Sequence, residues 1–433
     1  MTGDGAIQAL LAGSYVDSQT GAMVGVKTRS LVIENSLAGM EGELIKALGM
    51  GRHLAVVSDA QTHAALGRRV ERSLSGTYTI TSVILPGHPH PDDRTVEAVR
   101  TATAAADGII AVGSGTINDL CKYAASVDNK PYAVFATAPS MNGYTSANAA
   151  ITVRGHKMSL AARVPAGAFF DLKVLAAAPA RLIRAGLGDS LCRCTAQADW
   201  LLSHLLFGTD YRLLPFDLLA KDEAPLFDNA AALVSGDLEI MRNLVRTLVL
   251  AGFGTAIIGH SQPASQGEHL ISHYLDMFES PSRPLVFHGE QVGVTTLSMA
   301  RLQQKMMERA PLVHAETISE DDFIKRYGTE LGASCWAQFE TKRLTPERAN
   351  ALNETIRGQW TSICTKLDAV MLAPHYLESV LKAAGAPTTP EEIHLPRPVY
   401  DLALFHARDI RNRFTHLDLA MATGELRGLV PSL

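Results

Sequence analysis

The chain has few cysteines, modest charge and no excess of basic residues. Its cysteines are odd in number and scattered, at Cys121, Cys192, Cys194, Cys335 and Cys364. This pattern is typical of reduced thiols rather than of a disulfide framework. Charged residues make up 19% of the chain and the formal net charge is −5. A nucleic-acid or acidic-membrane surface is therefore not expected.

The sequence also gives no indication of a membrane-spanning helix or of a signal peptide. No uninterrupted apolar run approaches the ~20 residues that a membrane-spanning helix needs. The first twelve residues lack the basic start and long apolar core of a signal peptide. We expect a cytoplasmic protein without membrane insertion or nucleic-acid partners, acting on a small molecule as a homodimer or larger homo-oligomer.

The first part of the chain alternates apolar strands with helical segments. The expected strands cover residues 53–59, 78–85, 108–112 and 131–136, with helical patterns between them. Alternation of this kind predicts a mostly parallel sheet covered by helices on both faces. From about residue 175 the pattern becomes helical, with few strand candidates.

Two domains are expected, because 433 residues exceed one typical core. We predict an α/β, Rossmann-like nucleotide-binding domain over residues 1–172. An all-helical domain that holds metal and substrate is predicted over residues 173–433.

Two turns rich in glycine and hydroxyl groups each follow an apolar strand. The first, Gly113-Ser-Gly-Thr116, opens a helix whose free N–H groups and positive dipole end suit a pyrophosphate. Its glycines are expected to allow close approach of the ligand and to take positive φ. The second turn offers the hydroxyl groups of Thr137, Ser140 and Ser146. Both are expected at the carboxyl edge of the sheet, where ligands bind.

Three fragments of the second half contain residue types that bind a catalytic metal. Asp189 follows two glycines at a predicted helix start, and His288 precedes a glycine at the head of another helix. His269 and His273 are four residues apart, and so share a helix face. Two imidazoles and one carboxylate with an open position suit Zn²⁺, Ni²⁺ or Fe²⁺. Taken one at a time, these residues could equally be a helix cap and surface or core histidines. Cys192 and Cys194 form a C-x-C spacing, but without a second pair they are interpreted as two unrelated helix residues.

The order of these motifs resembles that of sn-glycerol-1-phosphate dehydrogenases, in their bacterial branch. The resemblance covers residues 53–425 and extends to the superfamily of iron-type alcohol dehydrogenases, glycerol dehydrogenase and dehydroquinate synthase. It implies a dehydroquinate synthase-like fold and reversible hydride transfer between NAD, or NADP, and a phosphorylated three-carbon substrate. One divalent metal is implied, zinc first and nickel or iron as alternatives.

The resemblance also assigns roles to residues. Asp59 would accept hydrogen bonds from the adenosine ribose, and His273 would contact substrate. Apart from the resemblance, Lys157 is a candidate for the substrate phosphate because its segment follows the second turn, or it is a solvated loop lysine. The implied metal ligands are Asp189, His269 and His288. The implied cofactor residues are Asp59, Gly113, Ser114, Gly115, Thr116, Ile117, Thr137, Ala138, Pro139, Ser140 and Ser146.

One position departs from the family pattern. Relatives usually carry Asp where this chain has Asn142, which the resemblance assigns to substrate contact. Asn keeps the shape, loses the charge and gains a donor. A neutral variant and a site adapted to a related phosphorylated or polyol substrate both stay open.

Two other functions fit the sequence less well. A lyase like dehydroquinate synthase would need a Gly-Gly-Lys after the second turn, where this chain reads Ser146-Ala-Asn-Ala-Ala-Ile. A non-catalytic scaffold would have no physical need for well-placed metal and nucleotide motifs.

Overall fold

The computed structural model describes residues 3–278 and 283–433. The strands are β1 Tyr15–Val16, β2 Met23–Val24, β3 Ser30–Glu34, β4 His53–Asp59, β5 Thr79–Leu85, β6 Gly108–Gly113, β7 Tyr132–Ala136, β8 Asn148–Val153, β9 His156–Ala161 and β10 Gly167–Asp171. The α-helices in the first half are α1 Gly3–Leu11, α2 Glu41–Leu48, α3 Ala60–Thr62, α4 Arg68–Leu74, α5 Asp93–Ala102, α6 Gly115–Val127, α7 Leu172–Ala176, α8 Ala180–Leu191, α9 Arg193–Phe207, α10 Leu214–Asp217 and α11 Ala220–Asp228. Those that follow are α12 Ala230–Val234, α13 Leu238–Ile258, α14 Gly267–Met277, α15 His288–Met307, α16 Glu320–Tyr327, α17 Thr329–Phe339, α18 Pro346–Asp368, α19 Pro374–Ala383, α20 Arg397–His406, α21 His416–Ala422 and α22 Leu426–Leu429. A π-helical turn spans His63–Gly67, and short 3₁₀ turns include Asn142–Tyr144.

Six strands form one parallel sheet in the order β3-β10-β7-β6-β4-β5. The inner strands β6, β7 and β10 are buried at every residue, as expected for apolar strands covered on both faces. The parallel sheet and the helical region that follows confirm the predicted fold class.

Two strands of this sheet were not predicted from the sequence. β3 is a five-residue edge strand with alternating burial, and β10 is a five-residue run just after the β8–β9 hairpin. β3 pairs with β10, and β10 pairs with β7, so both strands are identified by partners distant in the sequence rather than by a local pattern.

Residue contacts divide the chain into two compact units. The first, called here the sheet unit, runs up to Val153 and also takes in Met158–Ser190 and Arg212–Ser261. The second, the helical unit, comprises Arg154–Lys157, Leu191–Tyr211 and the described residues from Gln262 to Leu433. Each unit has its own apolar core.

This division does not follow one boundary after residue 172. Helix α13 belongs to the sheet unit because it packs on α7, on the 3₁₀ turn Asn142–Tyr144 and on α10 and α11. The boundary after residue 172 therefore stays a prediction, which concerns the binding of cofactor and metal rather than the two compact units.

Among the described residues, only α13 is long and apolar enough to cross a membrane. In the stretch that qualifies, 67% of the residues are buried inside the protein. Its Arg246 forms a buried ion pair with Asp222 at 2.8 Å. The core helix of a globular protein accounts for this pattern.

Candidate active site

The predicted cofactor segments lie side by side at the carboxyl edge of the sheet. Strand β6 is paired with β7 on one side and with β4 on the other. Asp59 ends β4, Gly113 ends β6, and Thr137 directly follows β7. The main-chain N–H of Thr137 donates to the Gly113 oxygen at 3.1 Å, which ties the two turns together.

The first turn leads directly into α6, as predicted. Its residues Ser114, Gly115 and Thr116 are half-buried, whereas Ile117 is buried. The expectation of positive φ at its glycines was wrong, since neither has φ in that region. Gly113 is needed for space instead, because a Cβ there would lie 2.5 Å from the Cβ of Ile117.

The second turn, from Thr137 to Ser140, is buried and packs against α8. A Cβ at Gly186 would lie 1.7 Å from the main-chain oxygen of Pro139. Only glycine allows the helix backbone to come this close to the turn. The same helix carries Asp189, which is 3% exposed and whose Oδ2 accepts from the Asn142 main-chain N–H at 2.6 Å.

A fully buried lysine holds the loop that follows. Lys122 of α6 donates to the Ser146 hydroxyl and the Asn148 main-chain oxygen at 3.0 Å, and also to the Gly143 oxygen. Asp119 lies 3.9 Å from its ammonium. Burial lowers the pKa of Lys122 to about 8, and Asp119 partly offsets that effect. The Ser146 hydroxyl, predicted to face the nicotinamide, is thus engaged with protein atoms.

Asp59 has a structural task at the start of α3. Its Oδ1 accepts from the main-chain N–H groups of Gln61 at 2.9 Å and Thr62 at 2.8 Å. This is an N-cap arrangement. Any role of Asp59 at a ribose would be added to this cap.

Three histidines form a cluster in the helical unit, called here the histidine cluster. The ring centroids of His269 and His288 are 5.1 Å apart, and His273 lies 5.9 Å and 5.5 Å from them. The helical spacing on α14 and the start of α15 bring them together, as the sequence predicts. Because Asp189 belongs to the sheet unit, its part in a metal site stays a prediction.

The surroundings of the cluster suit neutral, metal-binding imidazoles. Glu268 Oε1 lies 3.0 Å from His269 Nδ1, and the Ser272 hydroxyl lies 3.2 Å from His288 Nδ1. Partners of this kind on one ring nitrogen orient the other nitrogen toward a metal. Burial, followed by the charge on His288, lowers the pKa of His273 well below its usual range. The donor set therefore fits a divalent metal ion of borderline softness.

Two residues at this cluster were missed in the sequence. Glu268 is fully buried and also accepts from the Gln266 N–H at 2.8 Å. Cys192 belongs to a second group that could hold a metal, since a ligand atom from each of Cys192, Glu268 and His269 lies within 4.8 Å of the others. A glutamate directly before a predicted ligand was the available signal for Glu268. Cys192 was noted only for its C-x-C spacing with Cys194, and nothing in the sequence connects it with His269, seventy-seven residues away.

The chain is similar in sequence and in fold to known proteins. A family model described as iron-containing alcohol dehydrogenase matches residues 32–179. The solved structure of glycerol dehydrogenase from Schizosaccharomyces pombe superposes with a TM-score of 0.62 over 94% of this chain and 90% of that one, at 17% identity. The matched segment is thus similar to that of iron-containing alcohol dehydrogenases, and the chain shares the fold of a glycerol dehydrogenase.

Two curated bacterial relatives carry the comparison further. Glycerol-1-phosphate dehydrogenase of Bacillus velezensis is 30% identical over 374 residues, covering 85% of this chain and 84% of the relative. That of Bacillus subtilis is 27% identical over 405 residues, covering 91% and 92%. The chain belongs to the glycerol-1-phosphate dehydrogenase family. The predicted family, and the prediction that the protein is an NAD(P)-dependent dehydrogenase with a metal, are confirmed at this level.

Proposed function

We propose that this protein interconverts dihydroxyacetone phosphate and sn-glycerol 1-phosphate with NAD or NADP. Zinc is the proposed metal, with Asp189, His269 and His288 as its ligands. In this proposal the domain over residues 1–172 binds the cofactor, and the domain over 173–433 carries metal and substrate groups.

The histidine cluster is the observation that carries the proposal. A structural role alone would not require two buried imidazoles and a half-buried one around one point, because packing three polar rings together leaves several polar atoms to satisfy. The carboxylate and hydroxyl at the Nδ1 atoms of His269 and His288 support Nε2 as the ligating atom in both rings. Asp189 is only three residues before Cys192, whose thiol lies close to Glu268 and His269. This short distance along the chain supports Asp189 as the third ligand.

The roles of the residues follow from their chemistry. When bound, the metal supplies Lewis-acid polarisation of the substrate carbonyl and the nicotinamide supplies the hydride. His273 orients a substrate hydroxyl or relays a proton; burial lowers its pKa and so favours the neutral ring, which has one nitrogen that accepts a hydrogen bond. The turns at Gly113–Ile117 and Thr137–Ser140, with Ser146, hold the cofactor, and Asp59 favours NAD by its negative charge near the ribose.

Asn142 favours a second candidate, a dehydrogenase for a related phosphorylated or polyol substrate. Its main-chain N–H is bound to Asp189 whatever its side chain does, so the side chain is left to define substrate. An Asn amide can donate to an acceptor that the family's Asp would repel.

A direct assay tests the proposal. The zinc-loaded enzyme should oxidise NADH or NADPH when dihydroxyacetone phosphate is added, with stoichiometric sn-glycerol 1-phosphate as product. A chiral analysis showing the opposite glycerol phosphate, or no cofactor turnover with this ketone, would contradict it. Net cofactor oxidation also separates the reaction from a lyase that regenerates its cofactor. We further propose a homodimer or larger homo-oligomer in the cytoplasm, which size-exclusion chromatography with light scattering and cell fractionation would test.

A further inference from the structure

Three cationic side chains lie together in the helical unit: Lys157, Arg411 and Arg413. They are called here the cationic cluster. Arg411 Nη1 is 3.1 Å from His156 Nε2, and its Nη2 donates to the main-chain oxygen of Lys157. Arg413 donates to the main-chain oxygen of Ser265 and to its hydroxyl, the latter at 2.9 Å. The C-terminal segment and the hairpin tip are thereby held against each other.

Arg411 has no carboxylate among its hydrogen-bond acceptors in the described part of the chain. It donates only to the main-chain oxygens of Ile410 and Lys157 and contacts the His156 ring, although it is 7% exposed. Burial lowers the pKa of Arg411 to about 10. Buried cations are normally paired, because an unpaired charge loses its hydration without compensation.

Arg408, in the same unit, is a buried arginine whose charge is paired with carboxylates. It is equally buried, and it pairs with Glu316 at 2.5 Å and with Asp418 at 2.9 Å. The contrast indicates that the charge of Arg411 is matched by something other than a protein carboxylate. Arg413 is a second buried guanidinium in this cluster: burial and then Arg411 lower its pKa to about 9, and Glu268 partly offsets both effects.

The cationic cluster lies beside the histidine cluster. Lys157 Nζ is 3.6 Å from Asp276 Oδ2, and Asp276 is one turn beyond His273 on α14. Ser265, which holds Arg413, comes four residues before His269. Burial and His288 are the largest causes that lower the pKa of His273, and the charges of Arg411 and Lys157 lower it further. The side chain of Lys157 is 14% exposed, so it is not the solvated loop lysine that was the alternative from the sequence.

We propose that Arg411, together with Lys157 and Arg413, binds the phosphate group of the substrate. The inference rests on the proposed function and names the subsite that makes the enzyme prefer a phosphorylated ketone. A phosphate dianion accepts two parallel hydrogen bonds from a guanidinium and attracts the neighbouring ammonium. It is the anion that three cations beside a carbonyl-reducing centre would hold.

The test compares dihydroxyacetone phosphate with dihydroxyacetone, which has the same carbonyl and no phosphate. In the metal-loaded enzyme, Lys157→Gln should lower kcat/KM for the phosphorylated ketone about 10- to 100-fold, the loss of one charge-assisted contact. For dihydroxyacetone the change should stay within about threefold, because its carbonyl meets the same residues. Arg154→Gln is the matched control: it removes one charge from the same hairpin tip, at a residue exposed to solvent and paired with Glu330. It should change neither value.

Arg411 is tested by Arg411→Lys and Arg411→Gln, with inorganic phosphate as a direct ligand. Calorimetry on the metal-loaded proteins should show phosphate binding that weakens about tenfold in Arg411→Lys and is lost in Arg411→Gln. Circular dichroism establishes that each variant is folded. If Arg411→Gln fails to fold, Lys157→Gln and Arg411→Lys still test whether this cluster binds phosphate.

The two proposals can fail separately. If wild type reduces dihydroxyacetone phosphate but the variants lose activity equally on both ketones, or bind phosphate like wild type, the subsite is wrong and the function stands. If wild type turns over neither ketone while phosphate binding depends on Arg411 and Lys157, the subsite stands and the proposed function is wrong.

Discussion

At the scale of single residues, two donor sets compete for His269. One is the predicted set, which combines it with His288 and Asp189. The other combines it with Cys192 and Glu268, whose ligand atoms lie within 4.8 Å of each other and of that of His269. Glu268 already accepts from the Gln266 N–H and lies against His269 Nδ1, so it is better placed to orient that ring than to bind metal.

Substituting His288 and Cys192 separately distinguishes these sets. His288→Ala should lower bound zinc to less than about 0.1 per chain and abolish activity, because an open three-ligand site cannot lose one ligand. Cys192→Ser should keep one zinc per chain and most of the activity. Metal analysis by mass spectrometry checks both. Zinc retained in His288→Ala and lost in Cys192→Ser would assign the metal to the other set.

Asn142→Asp tests whether asparagine, at a position where the resemblance expects aspartate, changes the activity on dihydroxyacetone phosphate. A charged acceptor is worth ~1.5–3 kcal/mol and a neutral one nearer ~1, so kcat/KM for dihydroxyacetone phosphate should rise by up to about tenfold. The main-chain bond from residue 142 to Asp189 does not depend on the side chain, so the variant should fold normally. An unchanged rate would show that Asn142 is neutral and that the family substrate stands.

At the scale of elements, the junctions between strands and helices are predicted to bind the cofactor and also stabilise the fold. Asp59 caps α3 while being the predicted selector between NAD and NADP. Removing its whole side chain would mix loss of the cap with loss of charge.

Asp59→Asn separates these effects, because it keeps an oxygen for the cap and removes the charge. The ratio of kcat/KM for NADPH over NADH should rise about tenfold, since repulsion of the 2′-phosphate disappears. Asp92→Asn is the control: Asp92 caps α5 through the Thr95 N–H at 2.7 Å and should leave the ratio unchanged. A ratio that stays constant in Asp59→Asn would remove Asp59 as the selector.

Lys122 joins α6 to the loop around Ser146. Lys122→Met should lower the free energy of unfolding by about 2–4 kcal/mol, because two part-buried main-chain oxygens and the Ser146 hydroxyl lose a charged donor. Affinity for NADH should fall as well, since the loop predicted to face the nicotinamide is no longer held. Lys173→Met, at an exposed lysine of the same unit, should change neither quantity. Denaturant unfolding and fluorescence titration measure them. Wild-type stability in Lys122→Met would mean that the loop is held without the ammonium.

At the scale of the whole molecule, metal binding and stability should be linked. Dialysis against a chelator should abolish activity and lower Tm, because a ligand that binds only the folded state stabilises it by mass action. Added zinc should restore both. The Tm of His288→Ala should not respond to the chelator. Full activity in protein with less than about 0.1 metal per chain would rule out a metal-dependent reaction.

The fold class was predictable because the strands β4, β5, β6 and β7 alternate with helical patterns along the sequence. The edge strand β3 and the short β10 were not, since partners distant in the sequence define them. The histidine cluster was predictable from helical spacing and family order. Arg411 was not recognisable as a site residue, because nothing local distinguishes it from Arg408, and only the three-dimensional arrangement shows which of them has carboxylate partners.

The contact of Gly186 with the turn after β7 has a mechanical consequence. A helix backbone resting directly on a main-chain oxygen has no flexible side chain between the two to act as a spring. We therefore expect the Thr137–Ser140 turn, which is predicted to carry the nicotinamide, and the helix that carries Asp189 to move together. A displacement of the turn would then shift the Asp189 carboxylate by the same amount.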